Sequence, residues 1–304
     1  MAWRFMHGLD LPDRDIRFLG SRPVMDLVRT AQADPACAAV NTLGFMKTAA
    51  DCALRPSTSF RPGDGTYLLG PAVPPHVAVR LQDIHARLSR FAPNDLQTNE
   101  LPEQQLIVEM VPPTATVLEL GGNVGRASCV LASLLDDSSR LVVVEPDPTS
   151  AEKLARNRDA HDLRFHIECC AVSDQPLVQR AWQTAPLSAA TADWTPIATV
   201  PWRSLVDRYP HLRFDTLVVD NEGGLFLMVR DNPGLLAQFS LVVVENDYGE
   251  ESHKRFVDAE AGRAGLTLVV SRPLGYPMAC MPCAAVFYQA WARVPALLMQ
   301  CLGH

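Results

Sequence analysis

Hydrophobic and polar positions along the last two thirds of the chain alternate between strand and helix patterns. Short apolar, β-branched runs are typical of strands covered on both faces. Between these runs, apolar residues recur every three or four positions, which is typical of amphipathic helices. This alternation predicts an α/β domain with a doubly wound, mostly parallel sheet. The predicted strands are 116–120, 141–146, 163–168, 215–220, 241–245, 266–271 and 284–291, and the predicted helices are 101–110, 149–160, 224–230 and 252–264.

The first 100 residues lack this alternation. Helical spacing predicts short helices at 21–39, 43–54 and 77–91, and the Pro- and Gly-rich stretch 56–75 predicts a loop. We therefore expect residues 1–100 to form a helical and loop-rich accessory segment. It would pack on a main domain that covers residues 101–304.

A glycine turn follows the first predicted strand of the main domain. Gly121, Gly122 and Gly125 flank Asn123, and Glu119 precedes them. Glycine accepts positive φ and leaves the backbone open to a ligand, and the helix that follows presents unpaired N–H groups. The spacing differs from the G-x-G-x-x-G of dinucleotide enzymes, because Asn123 stands where the second glycine would be. The stretch alone fits a nucleotide-binding turn or an ordinary strand-to-helix turn.

Four carboxylates stand at the ends of predicted buried strands: Glu119, Glu145, Asp220 and Glu245. In open α/β sheets, ligands bind outside the carboxyl ends of the strands, so we expect these side chains to converge on one crevice. Glu145 lies 20 residues beyond Gly125, where a carboxylate can accept both ribose hydroxyls of a nucleoside. An acidic crevice favours a positively charged nucleoside over a phosphate-rich ligand.

Composition narrows the class of protein. The chain has 304 residues, 48% of them apolar, and a net charge of −7, which argues against an extended nucleic-acid surface. The sequence shows no secretory signal and no apolar run long enough to span a membrane. Its eight cysteines are scattered, which suggests a reducing compartment and a cytoplasmic location.

Six short motifs follow one another between residues 117 and 245. They are Val-Leu-Glu-Leu-Gly-Gly-Asn-Val-Gly at 117–125, Val-Glu-Pro-Asp-Pro at 144–148, Leu-Ala-Arg-Asn at 154–157, Ala-Val-Ser-Asp at 171–174, Val-Asp-Asn-Glu-Gly at 219–223 and Val-Val-Glu at 243–245. In order and spacing they resemble the motifs of the FkbM-type S-adenosylmethionine-dependent methyltransferases. The resemblance covers roughly residues 101–250 and leaves out the first 100.

This resemblance implies a Rossmann-like class I methyltransferase fold, with a mostly parallel seven-stranded sheet whose last strand is antiparallel. It also implies methyl transfer from S-adenosylmethionine to a hydroxyl, commonly of a sugar or glycan. The implied cofactor-binding residues are Glu119, Gly121, Gly122, Asn123, Gly125, Glu145, Ala171 and Asp174. The Asp-x-Glu-Gly motif, here Asp220 and Glu222, would border the reaction site. A hydroxyl acceptor needs a nearby base, and the candidate catalytic residues for that role are Asp220, Glu222 and the strand-end Glu245.

The sequence departs from the family at one important position. The family usually carries a lysine two residues before the motif aspartate, and this chain has Val218 there. The departure leaves open a non-catalytic binding or scaffold protein, or a methyltransferase on another small-molecule or nucleic-acid hydroxyl. An RNA 2′-O-methyltransferase would need lysines near the strand ends, where this sequence has none. A divalent cation held by paired acids is an alternative to a carboxylate base.

Overall fold

The computed structural model describes residues 2–11, 15–48, 55–61, 64–70, 73–180, 183–189, 191–274 and 282–293. The first part contains β1 Ala2–His7, β2 Leu9–Asp10, β3 Asp15–Phe18, α1 Val24–Gln32, β4 Ala39–Asn41, β5 Phe45–Lys47, β6 Arg55–Pro56, β7 Gly65–Gly70 and α2 Pro75–Arg87. The second part begins with α3 Leu101–Met110, β8 Val117–Leu120, α4 Arg126–Leu134, β9 Leu141–Val144, α5 Pro148–Ala160 and β10 His166–Glu168. It continues with β11 Ala171–Val172, β12 Leu177–Arg180, β13 Gln183–Pro186, β14 Thr195–Ile197, β15 Thr199–Val200, α6 Trp202–Asp207 and β16 Thr216–Val219. It ends with α7 Gly224–Asp231, β17 Leu241–Glu245, α8 Glu251–Arg263, β18 Thr267–Arg272 and β19 Tyr288–Ala292.

Seven strands of the second part form the sheet that the sequence predicts. Their spatial order is β10-β9-β8-β16-β17-β19-β18. The first five are parallel, and β19 is antiparallel to both of its neighbours. The doubly wound, mostly parallel sheet with an antiparallel last strand is therefore confirmed, and the fold is that of the Rossmann-like class I methyltransferases.

The central parallel strands β8, β9 and β16 are mostly apolar because both faces of the sheet are covered there. All four residues of β8, β9 and β16 are buried. Strands β8 and β16 are neighbours in the sheet. From this central pair, the chain continues from β8 to β9 on one side and from β16 to β17 on the other. Right-handed crossovers in opposite directions place their helices on opposite faces and leave a crevice at the carboxyl ends of β8 and β16.

The first 100 residues differ from the sequence prediction. Strands β1, β7, β4, β5 and β3 continue the sheet beyond β18, giving twelve strands in all. The helical and loop-rich description is therefore wrong for these segments, including the predicted loop at 56–75, which contains β7, and the predicted helix at 43–54, which contains β5. Glycines at both ends of β7 concealed its strand pattern. The predicted helices at 21–39 and 77–91 are confirmed as the shorter α1 and α2.

Helix boundaries in the second part follow local hydrogen bonding. The side chain of Asp147 accepts a hydrogen bond from the Ser150 N–H at 2.7 Å, so Asp147, ahead of the predicted start at 149, is the cap of α5. Residues 175–200, for which the sequence predicts at most an antiparallel excursion, contain the three-stranded antiparallel sheet β13-β12-β14. No helix in the part of the chain that the structure describes combines the length and hydrophobicity needed to cross a bilayer.

Candidate active site

The glycine turn after β8 is fixed by close backbone packing. The N–H groups of Gly121 and Gly122 donate to the Val144 carbonyl at 2.9 and 3.2 Å. Gly121 has a φ of 93°, and a Cβ at this position would lie 1.6 Å from the Asp220 carbonyl oxygen. Only glycine fits where the ends of β8 and β16 approach so closely. The turn therefore brings the Asp220 segment against the Gly121 segment.

The other two glycines of the turn serve helix packing. A Cβ on Gly122 would lie 2.3 Å from Val143 Cγ1, and one on Gly125 would lie 2.6 Å from Leu154 Cδ1. These contacts let α4 and α5 pack closely against the sheet. Neither glycine lines the crevice, and their predicted role in cofactor binding stays a prediction.

The crevice at the carboxyl ends of β8, β9 and β16 contains a cavity of about 760 Å³ that includes its open mouth. Four predicted cofactor residues and two predicted catalytic residues line it: Gly121, Asn123, Glu145, Ala171, Asp220 and Glu222. The sequence thus identifies residues that the fold brings together from four separate segments.

Glu145 is held at one wall of the cavity. Its side chain is buried and accepts two backbone hydrogen bonds, from the Asn123 N–H at 2.7 Å and from the Asp147 N–H at 2.8 Å. Burial raises the pKa of the carboxyl, and the two N–H groups lower it in part. A carboxylate with two fixed hydrogen bonds still has lone pairs for hydroxyl donors. Glu145 lines the cavity and keeps the capacity to accept further hydrogen bonds there.

Glu119 lies below the cavity instead of lining it. Its side chain is 1% exposed, and neither carboxyl oxygen has a hydrogen-bond partner. Burial raises its pKa to about 8, even though the nearby Ser128 hydroxyl acts to lower it. Glu119 is therefore held largely neutral at pH 7, and its predicted contact with the cofactor stays a prediction.

Val218 stands where the family that the sequence resembles usually carries a lysine. Val218 is the register partner of Glu119 across the β8–β16 ladder, so the two side chains lie on the same face of neighbouring strands. Val218 is completely buried. A lysine at this position would stand beside the Glu119 carboxyl. Its replacement by valine agrees with the lack of a hydrogen-bond partner for that carboxyl.

Asp174 lies outside the cavity. Its side chain is exposed and accepts a hydrogen bond from the Asn232 side chain at 3.1 Å. The neighbouring Ala171 and Val172 form the cavity wall in its place. The predicted contact of Asp174 with the cofactor stays a prediction.

An acidic cluster forms the opposite side of the cavity. Asp220 and Glu245 share a hydrogen bond, and Tyr288 also hydrogen-bonds Glu245. Burial and the Glu245 charge raise the pKa of Asp220 well above its usual value, and burial raises the pKa of Glu245 to about 8. Glu245 does not line the cavity, whereas Asp220 and Glu222 do. The Glu222 side chain is exposed. The three predicted catalytic residues are close together at one end of the sheet.

Two members of this cluster were missed by the sequence analysis. Asp247 Oδ1 accepts a hydrogen bond from the Gly223 N–H at 2.7 Å, while its buried Oδ2 has no partner. Asp247 follows the end of β17 by two residues, and this position close to a strand end could have identified it as a candidate. Glu103 is 2% exposed on α3, and its charge raises the pKa of Asp220. Nothing in the sequence relates this helix to the strand ends.

The inserted antiparallel sheet supplies a further wall. Leu177 and Gln179 of β12 and Thr184 of β13 line the cavity together with Met228 of α7. The sequence offers no motif for these positions, because their role depends on how the insertion packs.

Comparison with known proteins gives limited help. Neither a protein-family model nor a curated protein matches the sequence. Among solved structures, a putative O-methyltransferase from Klebsiella pneumoniae is 15% identical, with 73% of this chain and 91% of that chain covered and a TM-score of 0.40. An O-methyltransferase from Bacillus cereus in complex with SAH is 14% identical, with coverage of 71% and 90% and a TM-score of 0.39. A methyltransferase FkbM from Methylobacillus flagellatus is 10% identical, with coverage of 71% and 60% and a TM-score of 0.40. Similarity at this level assigns neither a cofactor nor a substrate to this chain.

Proposed function

We propose that this protein is an S-adenosylmethionine-dependent O-methyltransferase that acts on a hydroxyl of a small molecule, with a sugar or glycan as the favoured acceptor. One observation carries the proposal: a single cavity has an oriented carboxylate, Glu145, on one wall and an acidic cluster containing Asp220 and Glu222 on the other. Glu145 suits hydrogen bonding to the ribose hydroxyls of a nucleoside, and the acidic cluster suits removal of a proton from an acceptor hydroxyl nearby.

The residues that line the cavity suit the proposed cofactor in chemistry and charge. Glu145 would hold the ribose hydroxyls, and Ala171 and Val172 would contact the adenine. The methionine part would lie against the glycine turn, where Gly121 and Asn123 line the cavity. The acidic surroundings suit a sulfonium cation, whereas they would repel phosphates. When bound, S-adenosylmethionine supplies a methyl group on a positively charged sulfur.

The protein's contribution to the reaction is alignment and proton removal. In-line displacement forms the O–C bond as the C–S bond breaks, and holding the acceptor oxygen in line is worth about 7–11 kcal/mol. The hydroxyl proton must leave in the same process, and a positioned base contributes about 10²–10⁴-fold. Asp220 is the best-placed base because it lines the cavity, with Glu222 and Glu245 as the further candidates.

The favoured acceptor is an uncharged, hydroxyl-rich molecule. An acidic cavity repels anionic acceptors, and the net charge of −7 gives no support for an extended polyanion. A divalent cation is a further candidate cofactor, given the concentration of carboxylates. The cytoplasmic location stays a prediction that agrees with the free thiols of the five described cysteines.

The direct test is calorimetry with S-adenosylmethionine and S-adenosylhomocysteine, followed by transfer of a labelled methyl group to a panel of sugars, glycans and small hydroxylated molecules. We expect binding of both nucleosides and label transfer to at least one hydroxylated acceptor. Absence of binding would refute the proposal. Binding without transfer to any acceptor of the panel would favour the alternative, a non-catalytic protein that retains the fold.

A further inference from the structure

The connection between α2 and α3 lies against the glycine turn, although it belongs to the part of the chain that the family resemblance leaves out. Residues 92–100 of this connection form neither helix nor strand. Two apolar side chains anchor it in the core, Phe91 just before it and Leu96 within it, and both are buried. We call residues 92–100 the strap. Its contacts with the turn are made by two side chains of the main domain.

Arg126 connects the strap to the helix that follows the glycine turn. It is the first residue of α4, and its side chain is 12% exposed. The guanidinium donates to both carboxylate oxygens of Asp95, at 3.0 and 2.7 Å, and to Glu100 at 3.0 Å. A bidentate arginine–carboxylate pair is among the stronger and more directional contacts in proteins. Because a positive side chain at a helix N-terminus is unfavourable by itself, the strap carboxylates account for the arginine at this position.

Asn157 connects the strap to the turn itself. It is the last residue of the Leu-Ala-Arg-Asn motif at 154–157, and it is buried. Its Nδ2 donates to the Ala92 carbonyl and to the Val124 carbonyl, both at 2.8 Å. Its Oδ1 accepts a hydrogen bond from the Ala92 N–H at 3.0 Å. One buried side chain thus joins the first residue of the strap to the turn.

The backbone of the turn needs external support. Asn123 and Gly125 both have positive φ, 45° and 97°, which residues with a side chain rarely adopt. Val124, whose carbonyl Asn157 holds, lies between them. The Asn123 N–H in turn donates to the Glu145 carboxylate at 2.7 Å. The strap contacts therefore fix the chain directly after the group that orients Glu145.

The strap is also attached to α3. Gln104 is completely buried, and its Nε2 donates to the carbonyls of Leu96 and Asn99 at 3.1 and 3.0 Å. The same helix carries Glu103, whose charge acts on Asp220 at the opposite wall of the cavity. The strap thus connects the elements that carry the two walls.

We propose that Arg126 and Asn157 are positioning residues for nucleoside binding, because they tie the strap to the glycine turn and thereby hold Glu145 in the geometry that receives the ribose hydroxyls. Neither side chain lines the cavity, so both act through the turn. The effect on the nucleoside rests on the proposed function, whereas the coupling between strap and turn does not. Through the strap, the first 100 residues contribute to the site.

Hydrogen–deuterium exchange of the ligand-free, full-length chain tests the coupling. Arg126→Gln and Asn157→Ala should each speed amide exchange in the glycine turn by about tenfold or more, since charged or buried hydrogen bonds are lost. Arg164→Gln is the matched control, because it removes an exposed ion pair with Asp137 and should leave exchange in the turn unchanged. Circular dichroism checks the fold of each variant, and Arg126→Gln keeps the test decisive if Asn157→Ala does not fold.

Calorimetry with S-adenosylhomocysteine tests the effect on the nucleoside. Arg126→Gln and Asn157→Ala should each bind it about tenfold more weakly than the wild type. Arg126→Lys should lie between Arg126→Gln and the wild type, because lysine keeps the charge but cannot make the bidentate pair. If Arg126 acts through Glu145, the loss of affinity in the double variant Arg126→Gln, Glu145→Gln is smaller than the product of the two single losses.

The outcomes separate the two proposals. Exchange in the turn equal to that of the wild type, or unchanged nucleoside affinity in both single variants, overturns the positioning role. A double variant whose loss equals the product of the single losses overturns it as well. Failure of the wild type to bind S-adenosylhomocysteine refutes the proposed function instead, and the exchange experiment then decides whether strap and turn are coupled.

Discussion

Substitution of Glu119 by Gln should make the protein more stable at alkaline pH. Glu119 is buried without a hydrogen-bond partner, and its pKa is raised to about 8 from an ordinary value of 4.5. Between these two pH values the folded state holds a proton that the unfolded chain releases. The contribution of Glu119 to stability is therefore complete below about pH 4.5 and is lost progressively as the pH rises to about 8.

The expected size follows from the same values. The interval from 4.5 to about 8, at about 1.4 kcal/mol per pH unit, gives a loss on the order of 4 kcal/mol at pH 8. This is a large part of a typical stability of about 5–15 kcal/mol. Glutamine has the shape of protonated glutamate and cannot ionise. The variant should therefore match the wild type within about 1 kcal/mol near pH 5 and exceed it by several kcal/mol near pH 8.5.

The assay is urea unfolding of both proteins at these two pH values. Other buried carboxyls also make stability depend on pH, so the informative quantity is the difference between variant and wild type. Glu152→Gln, on the exposed surface of α5, is the matched control and should change stability by less than about 1 kcal/mol at either pH. A Glu119→Gln difference that is the same at both pH values would refute the raised pKa.

Three further substitutions test the construction of the cavity. Gly121→Ala should destabilise the fold by about 3 kcal/mol or more and abolish nucleoside binding in calorimetry, because its Cβ would lie 1.6 Å from a backbone oxygen. Gly8→Ala is the matched control, since Gly8 also has a positive φ but its Cβ would meet open space. It should reduce stability by only about 1–3 kcal/mol and leave nucleoside binding unchanged. Glu145→Gln should weaken S-adenosylhomocysteine binding by about tenfold or more, since a charge-assisted acceptor is lost, and unchanged affinity would contradict its role at the ribose. Asp220→Asn should abolish label transfer while nucleoside binding persists, and undiminished transfer would rule out Asp220 as base.

Sequence analysis predicted the parallel half of the sheet well because these strands are buried on both faces. Continuous apolar runs such as β9 and β17 have no competing interpretation, and their terminal carboxylates mark the crevice. In β7, by contrast, Tyr67 is buried and donates its hydroxyl to the Leu268 carbonyl at 2.8 Å, a contact with β18 across 201 positions. Such long-range partners decide whether a glycine-flanked segment is a strand or a loop, and local patterning does not reveal them.

The candidate site shows the same division. Residues tied to a strand end, such as Glu145 and Asp220, lie where sequence position predicts them. Glu103 and Gln179 reach the site from a helix and from an inserted sheet. Their approach depends on packing between elements that are distant in sequence. Strand alternation also explains Glu119, because successive side chains of a strand face opposite sides, so a carboxylate near the glycine turn need not face the cavity.

The pairing of β1 with β18 has a consequence for the folding of shorter forms of the chain. Without the first 100 residues, β18 would be the outermost strand of the sheet, and five of its six residues are buried in the full structure. An apolar strand with a free edge recruits strands from other molecules. The outermost strand on this side of the full sheet is instead the short β3, whose four exposed residues alternate charged Asp15 and Arg17 with apolar Ile16 and Phe18. The N-terminal strands thus cover the apolar edge strand β18, and a fragment beginning at residue 101 should aggregate.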